Sequence, residues 1–294
     1  MEKRPSWIRG KVSWSKTYEA VKDLLHHKKV KTVCVEARCP NKGDCWDNKH
    51  VTFMLLGDIC TRACRFCNVL KGEGADIDCN ESSRIAEAVE ALGKWYVVVT
   101  SVTRDDIADG GAAEFVKTVK EIKKTSPETV VELLIPDFKG DRDALQKVLF
   151  SGAEVIGHNI EMPKILYKEV RPSSNYDVSL GVLQTLNELR SGNPELLLKS
   201  SMILGLGEEE KDIYETMEDL MRAGTDILYL GQYLNPTPVA FPVKRFYTPE
   251  EFGKLKEKAE DMGFKAVESG PMVRSSYNAH DAYTRAKKHK KSQA

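Results

Sequence analysis

The 294-residue sequence has no apolar stretch of membrane-spanning length. Its longest apolar runs, such as Val97–Val99, fall far short of the ~20 residues that a bilayer helix needs. The segment MEKRPSWIRGKVSW is charged and lacks an apolar centre, so it does not read as a secretory signal. Net charge is absent too. The 44 Lys and Arg stand against 44 Asp and Glu, so no global field favours nucleic acid or an anionic membrane. These absences set the expectation of a cytoplasmic protein with neither nucleic acid nor membrane as a partner. Thiols stay reduced in that compartment, which removes disulfides as the reason for cysteine. Beyond Cys79 there is no cysteine at all.

What is present is a globular balance. Hydrophobic residues make up 41% of the chain and charged residues 30%, and the length suffices to bury one large core. Six of the seven cysteines, Cys34, Cys39, Cys45, Cys60, Cys64 and Cys67, crowd into the segment 34–67. Under reducing conditions such crowding reads as metal ligation. Cys79 stands apart and reads as a bystander.

From Val51 onward, short apolar runs alternate with amphipathic helical patterns. The strand candidates are 51–58, 96–102, 130–137, 154–161, 196–205 and 227–234. Helix candidates 84–93, 112–124 and 212–224 lie between them, with Gly93 and Gly224 as closing residues. Strands apolar on both faces and separated by helices imply βαβ units and a parallel sheet. Six units predict an α/β fold of the partial (β/α)6 TIM-type barrel kind; a doubly wound sheet also fits the pattern. The expected organisation is an N-terminal extension (1–50), the partial barrel (51–248) and a C-terminal extension (249–294). Within 1–50 the stretch 18–26 is a short helix candidate. The cysteine-bearing stretch after it reads as a loop broken by Pro40 and Gly43. The basic end, RAKKHKKSQA, is expected to be disordered. In either architecture function gathers at the C-terminal ends of strands. Cys60 and the segments TSVTRDD, PDF, HNIE and NPTP fall there.

Cys60, Cys64 and Cys67 have the spacing CxxxCxxC. Three thiolates this close can bind three corners of a cubane 4Fe–4S cluster. With no fourth cysteine at ferredoxin spacing, one iron is left open to an outside ligand. The amino and carboxylate groups of S-adenosylmethionine (SAM) suit that position. An electron from the cluster then cleaves the sulfonium and leaves a carbon radical able to take hydrogen from an unactivated C–H bond. Zinc fits poorly, because it favours paired CxxC knuckles or Cys/His sets with four protein ligands. Cys34, Cys39 and Cys45 have the looser spacing CxxxxCxxxxxC. Alone it also fits a zinc loop. Beside a radical generator it suggests a second cluster serving as electron relay, substrate anchor or sulfur donor.

Supporting residues follow from position. Thr100, Ser101, Arg104 and Asp105 end the second strand and could grip the methionyl and ribose ends of SAM. Asp105 or Asp106 could equally cap the next helix. Glu132 and Lys199 are charges inside otherwise apolar strands. Each needs a partner or a cavity, and a barrel lumen facing SAM would provide one. Asn159 ends the fourth strand as a candidate SAM contact, next to His158, which reads as a core histidine.

The strings CVEARCPNKGDCW and FMLLGDICTRACRFCNV resemble the lipoyl synthase family of radical SAM enzymes. So do VVVTSVTRDDIADGGA (97–112), LLIPDF (133–138), HNIE (158–161), ILGLGE (203–208), GQYLNPT (231–237) and SGPMVRSSYNAH (269–280). The resemblance runs in order along nearly the whole chain. It implies two 4Fe–4S clusters. Cys60, Cys64 and Cys67 match the ligands of the SAM-binding one, and Cys34, Cys39 and Cys45 those of an auxiliary one. Ser276 of the RSSY motif matches the auxiliary cluster's fourth ligand. An alkoxide is a harder, weaker partner for iron than a thiolate, so that corner could let go when the cluster is dismantled. Phe66 is implied to lie against the adenine, though a core aromatic would look the same. Arg274 is a candidate substrate anchor, with a surface salt bridge as the alternative.

The implied reaction inserts two sulfur atoms into an octanoyl chain carried on a lysine, with sulfur drawn from the auxiliary cluster. The implied carrier is a lipoyl carrier domain, such as glycine cleavage H protein or a 2-oxo acid dehydrogenase E2. The implied electron donor is a ferredoxin or flavodoxin. The family motif commonly runs RSSYHA, whereas Asn278 stands here at the histidine, and Arg38 fills a position that is usually small. The rival readings are another radical SAM sulfur-inserting enzyme, such as a methylthiotransferase, and a zinc-binding interaction protein.

Overall fold

In the computed structural model, which describes residues 4–291, the chain forms two compact units. The first comprises Gly10–Arg62 and Asn68–Ile156. The second comprises the described residues up to Arg9, then Ala63–Cys67, and the chain from Gly157 on.

The first unit holds β1 (Lys31–Thr32), β2 (Thr52–Leu55), β3 (Ile59–Cys60), β4 (Leu70–Lys71), β5 (Tyr96–Ser101), β6 (Val130–Leu134) and the start of β7 (Val155–Gly157). β2, β5 and β6 run parallel, with Thr52 opposite Val98 and Val98 opposite Glu132. β1 pairs with β2 antiparallel. Every side chain of β2 is buried, and all of β5 but the last, as strands covered on both faces require. The helices Glu81–Leu92, Ala112–Thr125 and Arg142–Leu149 each bury one stripe, namely Ile85, Val89 and Leu92, then Phe115, Val119 and Ile122, then Leu145, Val148 and Leu149. Each such side chain contributes about 1.5–3 kcal/mol when fully buried. Gly93, at φ 62°, ends the first helix in the left-handed conformation that a side chain would strain.

The second unit holds β8 (Leu197–Leu204), β9 (Ile227–Gln232) and β10 (Ala266–Gly270), all parallel, with Lys199 and Ala266 both opposite Ile227. The HNIE segment runs beside β8. His158 N–H donates to the Lys199 carbonyl at 3.0 Å and Glu161 N–H to the Ser201 carbonyl at 2.9 Å. The helix Pro249–Met262 starts with a capping box between Thr248 and Glu251, and proline takes its first position, where no N–H is needed. Its Phe252 joins Leu183, Met202, Met217 and Leu230 in the core.

All six strand candidates are strands at the expected positions. The pattern does not announce β1, which has two residues, or β10, where Glu268, Ser269 and Gly270 are half-buried and only Ala266 and Val267 are buried. The first expected helix is Lys16–His27, capped by Ser15. Short helices, Val33–Glu36 and Lys42–Asp47, stand in place of the expected cysteine-bearing loop. The expected disorder of the basic end is also corrected. Residues 285–291 belong to the helix Ala279–Lys291, because Ala282 and Ala286, one turn apart, are buried. Ion pairs Arg285–Glu268 and Lys287–Glu195 fasten it further. Residues 292–294 of that stretch lie outside the described residues. No helix among the described residues is long and apolar enough to cross a membrane.

Asp226 is the polar hub of the second unit. Its buried carboxylate accepts from Leu198 N–H at 2.8 Å where β8 starts, from Lys265 at 2.5 Å just before β10, and from Arg190. Asp226→Ala is expected to destabilise the protein by about 3–5 kcal/mol, since it strands a paired cation away from water. Chemical denaturation of the cluster-free chain reads that loss directly.

Candidate functional site

The chain leaves β2 through two left-handed residues, Leu56 at φ 66° and Gly57 at φ 81°. Their N–H groups point the same way. The buried Glu81 carboxylate accepts both, at 2.7 and 3.4 Å. Burial raises the Glu81 pKa, and the two amides oppose that rise. This turn delivers the chain to Cys60, whose carbonyl accepts from Gly72 N–H at 3.1 Å.

The two residues after Cys60 are tied down in the first unit. Thr61 donates through both N–H and Oγ1 to the Thr103 carbonyl, each at 3.0 Å, and its Oγ1 accepts from Asp105 N–H at 3.0 Å. Arg62 is 7% exposed and forks to two carboxylates. It meets Asp105 at 2.8 and 2.9 Å, and Asp137, itself 2% exposed, at 2.6 Å and by a second, shorter contact. Burial opposes the Arg62 charge. The hydrogen bonds to Asp105 and Asp137 more than offset it, so the guanidinium is held above its ordinary pKa.

Cys64 and Cys67 belong to the second unit. Arg65 N–H donates to the Val170 carbonyl, and its own carbonyl accepts from Phe241 N–H, both at 2.9 Å. The Arg65 guanidinium lies 5.1 Å from the Phe241 ring centre. Phe66 is partly buried against the core of this unit. Arg171 carries a buried positive charge near Cys64, and Cys67 lies near Tyr233.

The residues expected to face SAM separate into four groups. Ser101 Oγ and Asn159 Oδ1 are buried polar atoms without a hydrogen-bond partner, which is what an absent polar ligand would leave. Thr100 and Asp105 are committed elsewhere, Thr100 Oγ1 to the Leu134 carbonyl at 2.8 Å and Asp105 to Arg62. Glu132 accepts from the Tyr96 hydroxyl, and the Lys199 ammonium lies 4.1 Å from the Tyr229 ring centre. Arg104 is buried beneath Gly74 and paired with Asp106.

Two residues were not singled out from the sequence. Glu161 sits at φ 67°, accepts from Asn159 Nδ2 at 3.2 Å, and has its pKa raised by burial against the pull of Arg171. Arg171 donates to Tyr167 Oη at 3.0 Å and Ser179 Oγ at 3.1 Å. The only hint of Glu161 in the sequence is an acid closing an apolar strand.

Cys34, Cys39 and Cys45 lie together in the first unit on the two short helices and the turn between them. Cys39 N–H donates to the Cys34 carbonyl at 3.2 Å, and Lys42 N–H to the Cys39 carbonyl at 3.2 Å. Burial, then the neighbouring Cys39, pushes the Cys34 thiol up to about 11. Burial, Cys34, Cys39 and Asp44 push Cys45 up as well. These thiols are soft donors near one another with no histidine among them, a set that suits iron–sulfur chemistry. No three His, Cys, Asp or Glu side chains among the described residues converge to chelate one ion. Thiolates of a cubane each bind a different iron, so they need no such convergence.

Ser276 lies in the turn closed by Tyr277 N–H on the Arg274 carbonyl at 2.8 Å, in the second unit. Arg274 Nη1 donates to the Val273 carbonyl at 2.6 Å. Asn278 follows at φ 50°, a left-handed conformation that asparagine tolerates better than most residues. Cys79 is exposed.

Comparison with known proteins places the chain. The Radical SAM superfamily model matches residues 54–220. The chain is 47% identical over 278 residues to a lipoyl synthase of Rubrobacter xylanophilus, covering 95% of this chain and 86% of that one. It is 46% identical over 282 residues to a lipoyl synthase of Alkaliphilus metalliredigens, covering 96% of each. Among solved structures it is similar to HydG, a maturase of the [FeFe]-hydrogenase, with a TM-score of 0.58 and 14% identity over 85% of this chain and 63% of that one. It is also similar to Streptococcus suis SuiB bound to S-adenosylmethionine, with a TM-score of 0.56 and 12% identity over 75% of this chain and 50% of that one. At such identities the likeness shows the fold alone, the α/β TIM-type barrel of radical SAM enzymes.

Arg62→Ala is expected to cost about 3–5 kcal/mol, because two carboxylates lose the cation they share. Arg62→Lys keeps the charge but not the fork and recovers only part of that. Denaturant midpoints of the cluster-free proteins test the ranking.

Proposed function

The chain belongs to the lipoyl synthase family of the radical SAM superfamily, and from that premise we propose a two-cluster sulfur-insertion chemistry carried by the residues described above. As a radical SAM enzyme it uses SAM and a 4Fe–4S cluster, and its substrate is an octanoyl group on a carrier. When bound, cluster and SAM supply a carbon radical able to take hydrogen from an unactivated C–H bond.

In this reading Cys60, Cys64 and Cys67 hold the SAM-binding cluster. Glu81, Thr61 and Arg62 fix where the loop starts. Ser101 and Asn159 offer free polar atoms to SAM. Thr100 and Asp105 shape the same strand end, Asp105 by orienting Arg62. Phe66 presents a partly buried ring to the adenine. Glu132 and Lys199 stand deeper along their strands, against Tyr96 and Tyr229, and would contribute charge toward bound SAM.

Cys34, Cys39 and Cys45 would hold an auxiliary 4Fe–4S cluster, with Ser276 as the fourth, weaker ligand, and that cluster would supply the sulfur for the octanoyl chain. The observation that carries this reading is the second set of three mutually close cysteines, separate in sequence from CxxxCxxC. Arg274 anchors the substrate. Residues 1–50 and 249–294 then serve as extensions to a radical SAM core spanning 51–248. The carrier is glycine cleavage H protein or a 2-oxo acid dehydrogenase E2, and a ferredoxin or flavodoxin supplies electrons. The chemistry is that of a cytoplasmic enzyme.

Anaerobic reconstitution is expected to load about eight irons per chain. Cys64→Ala is expected to abolish SAM cleavage. Cys39→Ala is expected to retain SAM cleavage and yield no lipoyl product from an octanoyl-lysine peptide, read by mass spectrometry. Lipoyl product from Cys39→Ala would overturn the sulfur-donor role.

A further inference from the structure

In the first unit, residues 10–15 run without regular secondary structure as a strap against the segment that bears Cys39 and Cys45. Backbone meets backbone there. A Cβ added to Gly43 would lie 2.1 Å from the Lys11 carbonyl oxygen and 3.1 Å from the Ser13 nitrogen, and one added to Gly10 would lie 2.6 Å from the Pro40 carbonyl oxygen. Side chains fasten the same strap. Ser13 and Ser15 both donate to the Asp47 carboxylate, and Lys11 pairs with it at 2.9 Å. With alternate residues turned to Asp47, the residues between them face outward. Ser13 is 9% exposed, whereas Val12 is 75% and Trp14 82% exposed. Tryptophan is among the side chains that dominate binding at interfaces, and one on fixed backbone loses little entropy when a partner covers it. Val35, between Cys34 and Cys39, is a further exposed apolar side chain of the cysteine-bearing segment. Charge in this part of the chain is unbalanced. Residues 10–50 hold nine Lys and Arg against five Asp and Glu, in a chain whose formal charge is zero.

We propose that Val12 and Trp14 form the docking surface for the protein that carries the octanoyl-lysine, gripping it by apolar contact where an excess of positive charge favours an acidic face on the partner. This rests on the two-cluster reading above. An acylated lysine is a short arm, so a carrier that delivers it to Cys34, Cys39 and Cys45 must rest its body on the surface around them. The strap is part of that surface, packed directly on the chain between Cys39 and Cys45. Charge complementarity then adds selectivity and speeds encounter, while the tryptophan supplies the grip. The plainer role for the strap, closing the fold over the cysteine-bearing segment, uses Lys11, Ser13 and Ser15 and makes no use of Val12 or Trp14.

The test compares the native full chain, Trp14→Ser, the double variant Val12→Ser with Trp14→Ser, and Phe150→Ser, all reconstituted anaerobically. Phe150, 64% exposed after the helix Arg142–Leu149, is the control for loss of an open aromatic ring. Single-turnover lipoyl formation with dithionite is followed against the concentration of octanoylated H protein, of an octanoylated E2 lipoyl domain and of a short octanoyl-lysine peptide. For the carrier that the native chain takes at the lower concentration, half-saturation is expected to rise about tenfold in Trp14→Ser and further in the double variant. It is also expected to rise with added salt in the native chain. Half-saturation by the peptide and iron per chain are expected to match the native values in every variant, and Phe150→Ser is expected to match throughout. An unchanged carrier response, or a rise that the peptide or Phe150→Ser shares, overturns the proposal. So does a native chain that converts the peptide and neither carrier. A dimer in light scattering that Trp14→Ser abolishes overturns it too, by assigning the surface to a second copy of the chain. A native chain that converts no substrate, or binds only about four irons, overturns the two-cluster reading instead, an outcome seen before any variant is compared.

Discussion

The first half of the cysteine loop depends on one buried guanidinium shared by two carboxylates. Arg62 follows Cys60 by two residues, and its fork reaches Asp105 after β5 and Asp137 after β6. An apolar side chain of similar volume would fill the space at less desolvation cost. It would not fix direction. A bidentate fork matches carboxylates in one orientation, and two forks on one guanidinium leave the chain little freedom. The cost is that Asp105 is occupied. Its place at a strand end suggests a SAM contact, and its oxygens instead serve the residue that orients the loop. The start of the cysteine loop is thus supported by groups that need not touch a ligand.

Strain gathers around the same loop. Leu56 and Glu161 both adopt left-handed φ at the ends of strands, a conformation costing about 1–3 kcal/mol for a residue with a side chain. Each is compensated locally. The Glu81 carboxylate takes the Leu56 and Gly57 amides, and Gly111 leaves room for the Leu56 side chain, since a Cβ there would lie 2.3 Å from Leu56 Cδ1. Asn159 donates to Glu161. The strained turns sit where backbone must leave a strand sharply to present chemistry, and regular strand geometry could not do so.

What the sequence made legible divides along physical lines. Strands buried on both faces announce themselves as apolar runs, and all six were found. β10 carries only two buried apolar residues, so its strand nature rests on pairing with β9 and not on composition. Charge dominates the composition of the basic final helix and points to disorder, while two buried alanines decide its conformation. The cysteines were legible because ligand spacing is a local property of the chain. Arg62 lay in plain view between them and went unnoticed, since its partners are 43 and 75 residues away. Glu132 and Lys199 are buried charges inside apolar strands, and Tyr96 and Tyr229, which lie against them, count as apolar in a pattern.

In the proposed two-cluster reading Cys34, Cys39 and Cys45 face a harder demand, because their cluster would have to be both held and consumed. Burial pushes the Cys34 and Cys45 thiols above their ordinary pKa, which favours the neutral form further in the chain without iron. That spares the first unit a buried cluster of negative charge, and iron takes the place of the protons when it binds. A uniform set of ligands would release iron from every corner alike. The proposed set would be graded, from a buried Cys34, through half-buried Cys39 and Cys45, to an oxygen ligand at Ser276 in the family pattern. A graded set gives dismantling a direction. In that reading the weak side would give up sulfide while the strong side still kept iron in place, so retention and consumption would belong to different corners of one cluster.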